Sequence, residues 1–490
     1  MIEAHPEAAA ALVTTGGSTT YGELRERVGR LRGGLVQAGV ERGERVAILA
    51  GNGPVFVVGY LAVVGAGAVA VPLDPLSPVA ELEGQLSAVG ATTLLVGPGT
   101  ASGSPHRLPV ERVFAAAGVD VAGASPLEGL LGADPVPIAE VADDGLAVLA
   151  FTGGTAGAPR AAMLSHGNLR ANLEQVQAHP GLRVTSRDVV FGVLPMSHVF
   201  GLNVVLGLAL FAGASVLPVE RFDPVGALDA IREHGVTVVV GVPPMYRAWV
   251  ALARADPGGF ATVRLAVSGA AALAPETATS FEARFGVPVR QGYGLTEAGP
   301  VVTSGVTGRP LHAGSVGVPL PGVGLRLVDA DGGDVLAGDA GEIWVRGPNV
   351  FEGYWDDPRA TAAALTPDGW LRTGDVGVAD DDGSLHLVDR LKDLVVVSGF
   401  NVYPAEVEAV LRAHPGVADV AVVGVEDART GEAVRAVVVP EPGSEVDAGR
   451  LIAFCAGRLA RYKCPTEVAF VEELPLGNAG KVLRRQLRAP

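Results

Sequence analysis

Cysteine is scarce in this 490-residue chain: only Cys455 and Cys464 are present, too few for a disulfide framework or a clustered structural metal site. A reducing, cytoplasmic setting is the expectation. Lysine is nearly absent as well, limited to Lys392, Lys463 and Lys481, with arginine supplying the rest of the 37 basic side chains. Positive charge is outnumbered overall. The formal net charge of -16 opposes adhesion to nucleic acid or to an anionic membrane and favours a small-molecule partner. The N-terminal run Met1-Ile2-Glu3-Ala4-His5-Pro6 has no basic region followed by an apolar core, so no export signal is expected. Two runs lack charge altogether, 54–73 and 189–219. Glycine and proline punctuate both, which predicts buried strands and helices joined by turns, with no integral membrane span.

What is present fits a folded enzyme-sized protein. A hydrophobic fraction of 48% against 18% charged residues excludes a disordered or fibrous chain, and the length calls for at least two domains. Short apolar runs at 45–51, 68–73, 92–96, 147–151, 237–242 and 265–268 alternate with longer helix-like stretches. That alternation predicts an α/β fold with mostly buried strands. Between 315 and 390 the texture shifts to closely spaced strands and turns, marked by Pro319-Leu320-Pro321-Gly322, Asp331-Gly332-Gly333 and Asp382-Gly383. A β subdomain is expected there. Beyond it, helices near 405–414 and 448–459 and strands near 420–425 and 434–439 predict a small α+β domain. The expected boundary divides the chain into 1–391 and 392–490.

The segment Phe151-Thr152-Gly153-Gly154-Thr155-Ala156-Gly157-Ala158-Pro159-Arg160 follows an apolar strand, with a helix expected to open near Ser165-His166. Its glycines can free backbone N–H groups for phosphate oxygens, Thr152 and Thr155 add hydroxyls, and Arg160 adds charge. Read alone, such a loop fits a simple chain turn equally well, and it lacks the Gly-Lys-Ser/Thr ending of a Walker loop. Its company decides the matter. Gly292-Tyr293-Gly294-Leu295-Thr296-Glu297, Thr373-Gly374-Asp375, Asp389-Arg390 and Gly480-Lys481 together describe a nucleotide site. Tyr293 offers a ring for adenine, Thr296 a hydroxyl for phosphate, Asp375 an acceptor for ribose hydroxyls and Arg390 further donors. Glu297, with Thr152, offers oxygen ligands for Mg²⁺.

The order and spacing of these motifs resemble the adenylate-forming superfamily of acyl-CoA synthetases, peptide-synthetase adenylation domains and firefly luciferase. The resemblance runs from Thr20-Tyr21-Gly22-Glu23-Leu24 and Gly43-Glu44-Arg45-Val46-Ala47-Ile48 through Pro195-Met196-Ser197-His198-Val199-Phe200-Gly201-Leu202 to Ser398-Gly399-Phe400-Asn401-Val402-Tyr403-Pro404. It implies a large N-terminal domain of layered α/β subdomains plus a β subdomain, and a small mobile C-terminal lid that turns about Lys392. It further implies ATP, Mg²⁺ and coenzyme A as reactants or cofactors. Lys481 would act with Thr296 and Glu297 in adenylation, Gly399 and Phe400 would line the pantetheine tunnel, and Gly269, Ala270 and Ala271 would flank the adenine. His198, Phe200, Gly269 and Ala271 would border the acyl group, although a histidine in an apolar run is as often a core residue. Chemistry agrees with the assignment: a carboxylate is a poor electrophile and must first attack the α-phosphorus of ATP, after which AMP can leave before a thiol.

An amino-acid substrate would call for a carboxylate in the pocket just beyond Phe200, and the run 199–211 has none. An apolar carboxylic acid is the expected substrate, and a carrier-protein acceptor is not expected, because the chain ends at Pro490. The phosphate loop departs from the family pattern Thr-Ser-Gly-Thr-Thr-Gly-x-Pro-Lys-Gly, with Gly153, Ala156, Arg160 and Ala161 replacing serine, threonine, lysine and glycine. Three readings therefore stand: a complete acyl-CoA ligase, a ligase fed preformed acyl-AMP by a separate adenylating partner, and a silent nucleotide or acyl-CoA binder.

Overall fold

A computed structural model describes residues 1–490 apart from 15, 101–107, 153–158, 180, 254–255, 309–310, 391–392, 398–399, 428, 477–481 and 489–490, with the backbone alone described at 390, 400, 401 and 485. The chain divides into two compact units. The larger holds Met1–Gly269, Leu273–Gly324 and Val345–Leu371; the smaller holds Ala270–Ala272, Leu325–Trp344 and Arg372–Pro490. The mixed α/β class expected from the apolar runs is what the strands and helices form.

Two sheets organise the larger unit. In the seven-stranded one, Ser125–Pro126, Arg112–Ala115, Thr93–Val96, Arg45–Leu49, Val69–Leu73 and Leu146–Thr152 run parallel, and Arg160–Ser165 closes the edge antiparallel. Its strands read as nearly unbroken apolar runs because both faces are covered. Val71, Leu94, Val96 and Leu149 pack there with Leu82 and Leu86 of the helix Val79–Val89. In the nine-stranded sheet, Val289–Gly294, Leu265–Ser268, Val238–Gly241, Val189–Gly192, Ser215–Pro218 and Ala10–Thr14 are parallel in that order. The strands Val301–Ser304 and Val318–Pro319 extend it antiparallel on one side, and Gly17–Thr20 on the other.

Both uncharged runs resolve as elements within these layers. The first becomes the helix Pro54–Gly65 and the strand Val69–Leu73; the second becomes Val189–Gly192, a π-helix Phe200–Gly207, the helix Leu208–Ala212 and Ser215–Pro218. Among the described residues no helix is long and apolar enough to cross a membrane. The early motif at 20–24 is a helix start. The Thr20 hydroxyl accepts from the Glu23 N–H at 3.2 Å and the Glu23 carboxylate accepts from the Thr20 N–H at 2.8 Å, a capping box for Tyr21–Gln37.

In the smaller unit a five-stranded sheet joins Phe400–Val402, Val395–Val397, Gly431–Pro440, Val417–Asp427 and Glu467–Phe470. The helices Pro404–Arg412 and Ala448–Ala456 bury Val407, Leu411, Leu451 and Cys455 in its core. Both cysteines are unbridged and buried, and burial pushes the Cys455 thiol up to about 11 and the Cys464 thiol above its usual value. Most of a second sheet also belongs to this unit, four-stranded in the order Gly324–Val328, Gly341–Arg346, Leu371–Ala379 and Leu385–Arg390.

One buried carboxylate ties the start of the central strand Val189–Gly192 to its neighbours. Burial alone would raise the pKa of Asp188, but Arg264, the Thr185 N–H and the hydroxyls of Thr237 and Thr185 outweigh it and hold the group at about 2. Arg264 reaches both carboxylate oxygens at 2.8 Å. A depressed folded-state pKa means stability that is present above the unfolded value near 3.9 and is lost as pH falls towards 2. Asp188→Asn should therefore lower stability at pH 7 by about 1–2 kcal/mol after allowance for solvent screening at Arg264. Thermal melts between pH 2 and 7 check this: the difference between parent and variant should shrink as the pH drops through 4.

Candidate functional site

In the larger unit the expected phosphate loop joins two antiparallel strands. Thr152, ending Leu146–Thr152, is paired in register with Arg160, which begins Arg160–Ser165. Gly153, Gly154, Thr155 and Gly157 lie outside the described residues, so the structure speaks for the two posts of the loop. A further strand precedes the predicted helix, which opens where expected: Ser165 caps His166–Ala178 through a reciprocal bond with Asn168.

The far edge of Arg160–Ser165 carries a segment that sequence reasoning passed over. The Trp355 N–H donates to the Ala161 carbonyl at 2.9 Å, the Met163 N–H to the Gly353 carbonyl at 2.9 Å, and the Glu352 N–H to the Met163 carbonyl at 3.0 Å. Tyr354 is thereby held opposite Ala162, and its hydroxyl donates to Glu297 Oε1 at 2.7 Å. Burial pushes the Tyr354 phenol above its usual pKa and the Glu297 charge pushes it the same way, so the phenol is the proton donor at neutral pH. Arg160 pairs with Asp357 Oδ2 at 3.3 Å and its guanidinium lies 5.9 Å from the Tyr354 ring centroid. Asp357 uses its other oxygen to cap Pro358–Ala364, accepting from the Ala360 N–H at 2.8 Å. Loop post, aromatic ring and expected metal-binding carboxylate thus form one continuous chain of contacts.

Thr296 and Glu297 lie on the 3₁₀ turn Thr296–Ala298, between the antiparallel strands Val289–Gly294 and Val301–Ser304. Tyr293 is buried at the end of the first strand. Gly292 pairs with Ser304 in this ladder, and a Cβ at Gly294 would run into the Pro300 carbonyl oxygen. The turn is fixed by buried amides. Asn172 donates to the Val301 carbonyl at 2.8 Å and accepts from its N–H at 3.1 Å; Asn203 donates to the Gly299 carbonyl at 2.8 Å; Asn349 donates to the Ala298 carbonyl at 2.7 Å. Gln175 in turn donates to Asn349 at 3.1 Å, and Asn168 donates to the Pro348 and Val350 carbonyls at 3.0 and 2.8 Å. The signal in the sequence was the spacing 168, 172, 175, which places three amides on one helix face.

Of the expected acyl-pocket residues, the structure brings Phe200 and Gly269 together. A Cβ at Gly269 would come within 2.8 Å of Phe200 Cζ, so glycine there makes room for the ring. His198 is half-buried just before the π-helix, donating its N–H to the Pro195 carbonyl at 3.1 Å. In the smaller unit, Ala270 takes a left-handed φ of 67° and is exposed, as is Ala271. That backbone costs a residue with a Cβ about 1–2 kcal/mol. Asp375 is buried there and lies directly across the ladder from Arg390, so the two expected nucleotide contacts share one rung. The Thr373 hydroxyl accepts from the Asp375 N–H at 3.1 Å, and Asp389 accepts from the Ala405 N–H at 2.8 Å in the first turn of Pro404–Arg412. Phe400 begins the edge strand Phe400–Val402, while Lys392, Gly399 and Lys481 lie outside the described residues.

In the larger unit the ends of the glycine-rich loop and the turn carrying Glu297, and in the smaller unit the Asp375–Arg390 rung, hold the motifs that resemble those of adenylate-forming enzymes. Residues 2–355 match the AMP-binding enzyme family and residues 406–481 match the AMP-binding enzyme C-terminal domain. The chain belongs to this family, as an acid–thiol ligase of the acyl-CoA synthetase type. It is 40% identical to a feruloyl-CoA synthase of an Amycolatopsis species over 96% of this chain and 94% of that protein. With 4-coumarate–CoA ligase 5 of Oryza sativa subsp. japonica it shares 35% identity over 97% and 90%. The ATP-bound crystal structure of MatB from Rhodopseudomonas palustris matches with a TM-score of 0.90 at 34% identity, over 99% of this chain and 97% of that one.

Gly294→Ala tests the turn geometry. Its Cβ faces backbone that amides hold in place, so overpacking of about 1–3 kcal/mol or more is expected, read as a lowered Tm. A Tm equal to the parent's would show that the turn yields.

Proposed function

We propose that this protein activates an apolar carboxylic acid as its acyl-adenylate and passes the acyl group to coenzyme A, both steps in one chain. The observation that carries the reading is the contact chain from the Thr152–Arg160 rung through Tyr354 to Glu297, which sets a carboxylate beside a glycine-rich loop. The residues fit a magnesium ion carried by ATP. Hard oxygen donors are what it takes, and among the described residues Glu297 Oε2 is left without a hydrogen bond while Oε1 is tied to Tyr354. The ion would offset negative charge on the phosphates; Glu297 would orient it, Thr152 and Arg160 would hold the loop at the phosphates, and Asp375 and Arg390 would hold the ribose.

On this proposal Lys481 supplies the remaining positive charge at the α-phosphate, and Lys392 is the pivot of a lid comprising 392–490. Gly399 and Phe400 line the path of pantetheine, and Tyr293, Gly269, Ala270 and Ala271 flank the adenine. The acid is apolar and, by the names of the relatives, within the range from hydroxycinnamic acids to long-chain fatty acids; a cytoplasmic setting is proposed from the scarcity of cysteine. A complete ligase is favoured over one fed by a separate adenylating partner, since relatives named as ligases align over nearly the whole chain. A silent binder would not need the full residue set.

Comparing acid plus ATP plus coenzyme A with synthetic acyl-AMP plus coenzyme A, across apolar acids, tests this reading. Thioester should form from both mixtures for a good substrate; turnover from acyl-AMP alone would refute the complete ligase. Gly269→Ala tests the pocket. With Phe200 pressed from behind, KM for the acid should rise several-fold while KM for ATP holds, and adding Phe200→Ala should reverse the change.

A further inference from the structure

The geometry points to Tyr354 as a positioning residue for adenylation, one that fixes the rotation of the Glu297 carboxylate so that a single oxygen faces the divalent cation. The inference rests on the ligase reading and adds to it a residue that never touches substrate. A glutamate on a three-residue turn has three rotatable bonds, and freezing them at the moment of cation binding costs side-chain entropy. Here one oxygen is already committed to the phenol at 2.7 Å. The phenol itself has little freedom. Its backbone is bridged to Ala162, its N–H donates to the Thr361 hydroxyl at 2.9 Å, and Phe351 meets its ring edge-on at a centroid distance of 4.9 Å. Thr361 is fixed in turn by donating to the Asp357 carbonyl at 2.9 Å. Gly353 makes the approach possible, since a Cβ there would come within 2.6 Å of Thr361 Cγ2. The ring also carries the Arg160 guanidinium on its way to Asp357, so the same residue braces one post of the phosphate loop. Arginine suits that place better than lysine, because its planar head can stack and pair at once.

Tyr354→Phe removes one hydroxyl and keeps the ring. The direct readout is Mn²⁺ affinity in the presence of α,β-methylene-ATP, followed by electron paramagnetic resonance, with thioester formation from synthetic acyl-AMP and Tm measured alongside. Affinity for Mn²⁺ should fall about tenfold, the order of the side-chain entropy that cation binding must then remove from Glu297, while the acyl-AMP reaction stays at its parent value and Tm drops by no more than the loss of one hydrogen bond costs. Glu297→Asp draws the carboxylate out of reach of the phenol; it should weaken Mn²⁺ binding too, and combining it with Tyr354→Phe should cost less than the two separate losses together. Parent-like Mn²⁺ affinity in Tyr354→Phe, or equal loss of both half-reactions, would overturn the positioning role. Full additivity in the double variant would do the same, even if Tyr354→Phe alone folded poorly. A parent protein that binds Mn²⁺ with the nucleotide analogue but never forms acyl-AMP would contradict the ligase reading alone; one that shows no Mn²⁺-dependent binding would overturn both.

Discussion

Peptide groups buried in an irregular turn have no ladder to satisfy them, and each one left unpaired costs about 1–3 kcal/mol. The turn that carries Thr296 and Glu297 meets this constraint with side-chain amides. Asn172, Asn203 and Asn349 bond the backbone at 298–301, and Gln175 and Asn168 hold Asn349 and its flanking loop. All five are almost wholly buried, so no water competes for their donors. Each amide therefore acts as a substitute for a neighbouring strand. The candidate acidic ligand owes its place to the helix His166–Ala178 and the π-helix Phe200–Gly207 as much as to the strand that precedes it.

The same helix links the two ends of the site. It begins directly after Arg160–Ser165, the strand that pairs with the phosphate-loop strand on one edge and with the segment around Tyr354 on the other. A change in loop sequence is thereby felt next to Glu297. Arg160 illustrates this: where the family pattern has lysine, its guanidinium engages both a ring and a carboxylate that belong to the Tyr354 segment. Replacement of two loop hydroxyls by Gly153 and Ala156 removes donors, yet the frame around the loop retains its carboxylate, its phenol and its positive charge.

Buried parallel strands were legible because they are apolar on both faces: the run 265–268 is the strand Leu265–Ser268, and 147–151 lies inside Leu146–Thr152. Gly269 and Gly294 stood out in the sequence as parts of motifs, but the reason each must be glycine came from the fold, where a Cβ would meet Phe200 or the Pro300 carbonyl. The register of Asp375 against Arg390 was not legible, since the 14 intervening positions fix no pairing until the turn between the strands is formed. Nor was Tyr354. It lies 57 residues from Glu297, in a stretch whose aromatic pair Tyr354-Trp355 reads as ordinary packing. The buried amides escaped for a related reason: asparagine in a helix reads as a weak helix former unless its partner turn is known. The uncharged runs were read rightly from the glycine and proline within them, as strand and helix joined by turns.

Acid-dependent exchange of labelled pyrophosphate into ATP, in the absence of coenzyme A, tests the central claim most directly, because it reads reversible acyl-adenylate formation and nothing later. The account predicts exchange that requires Mg²⁺, appears only with an apolar acid, and is abolished in Glu297→Ala. Absence of exchange with every acid in a panel of hydroxycinnamic, benzoic and fatty acids, in a protein that still converts synthetic acyl-AMP to thioester, would contradict it.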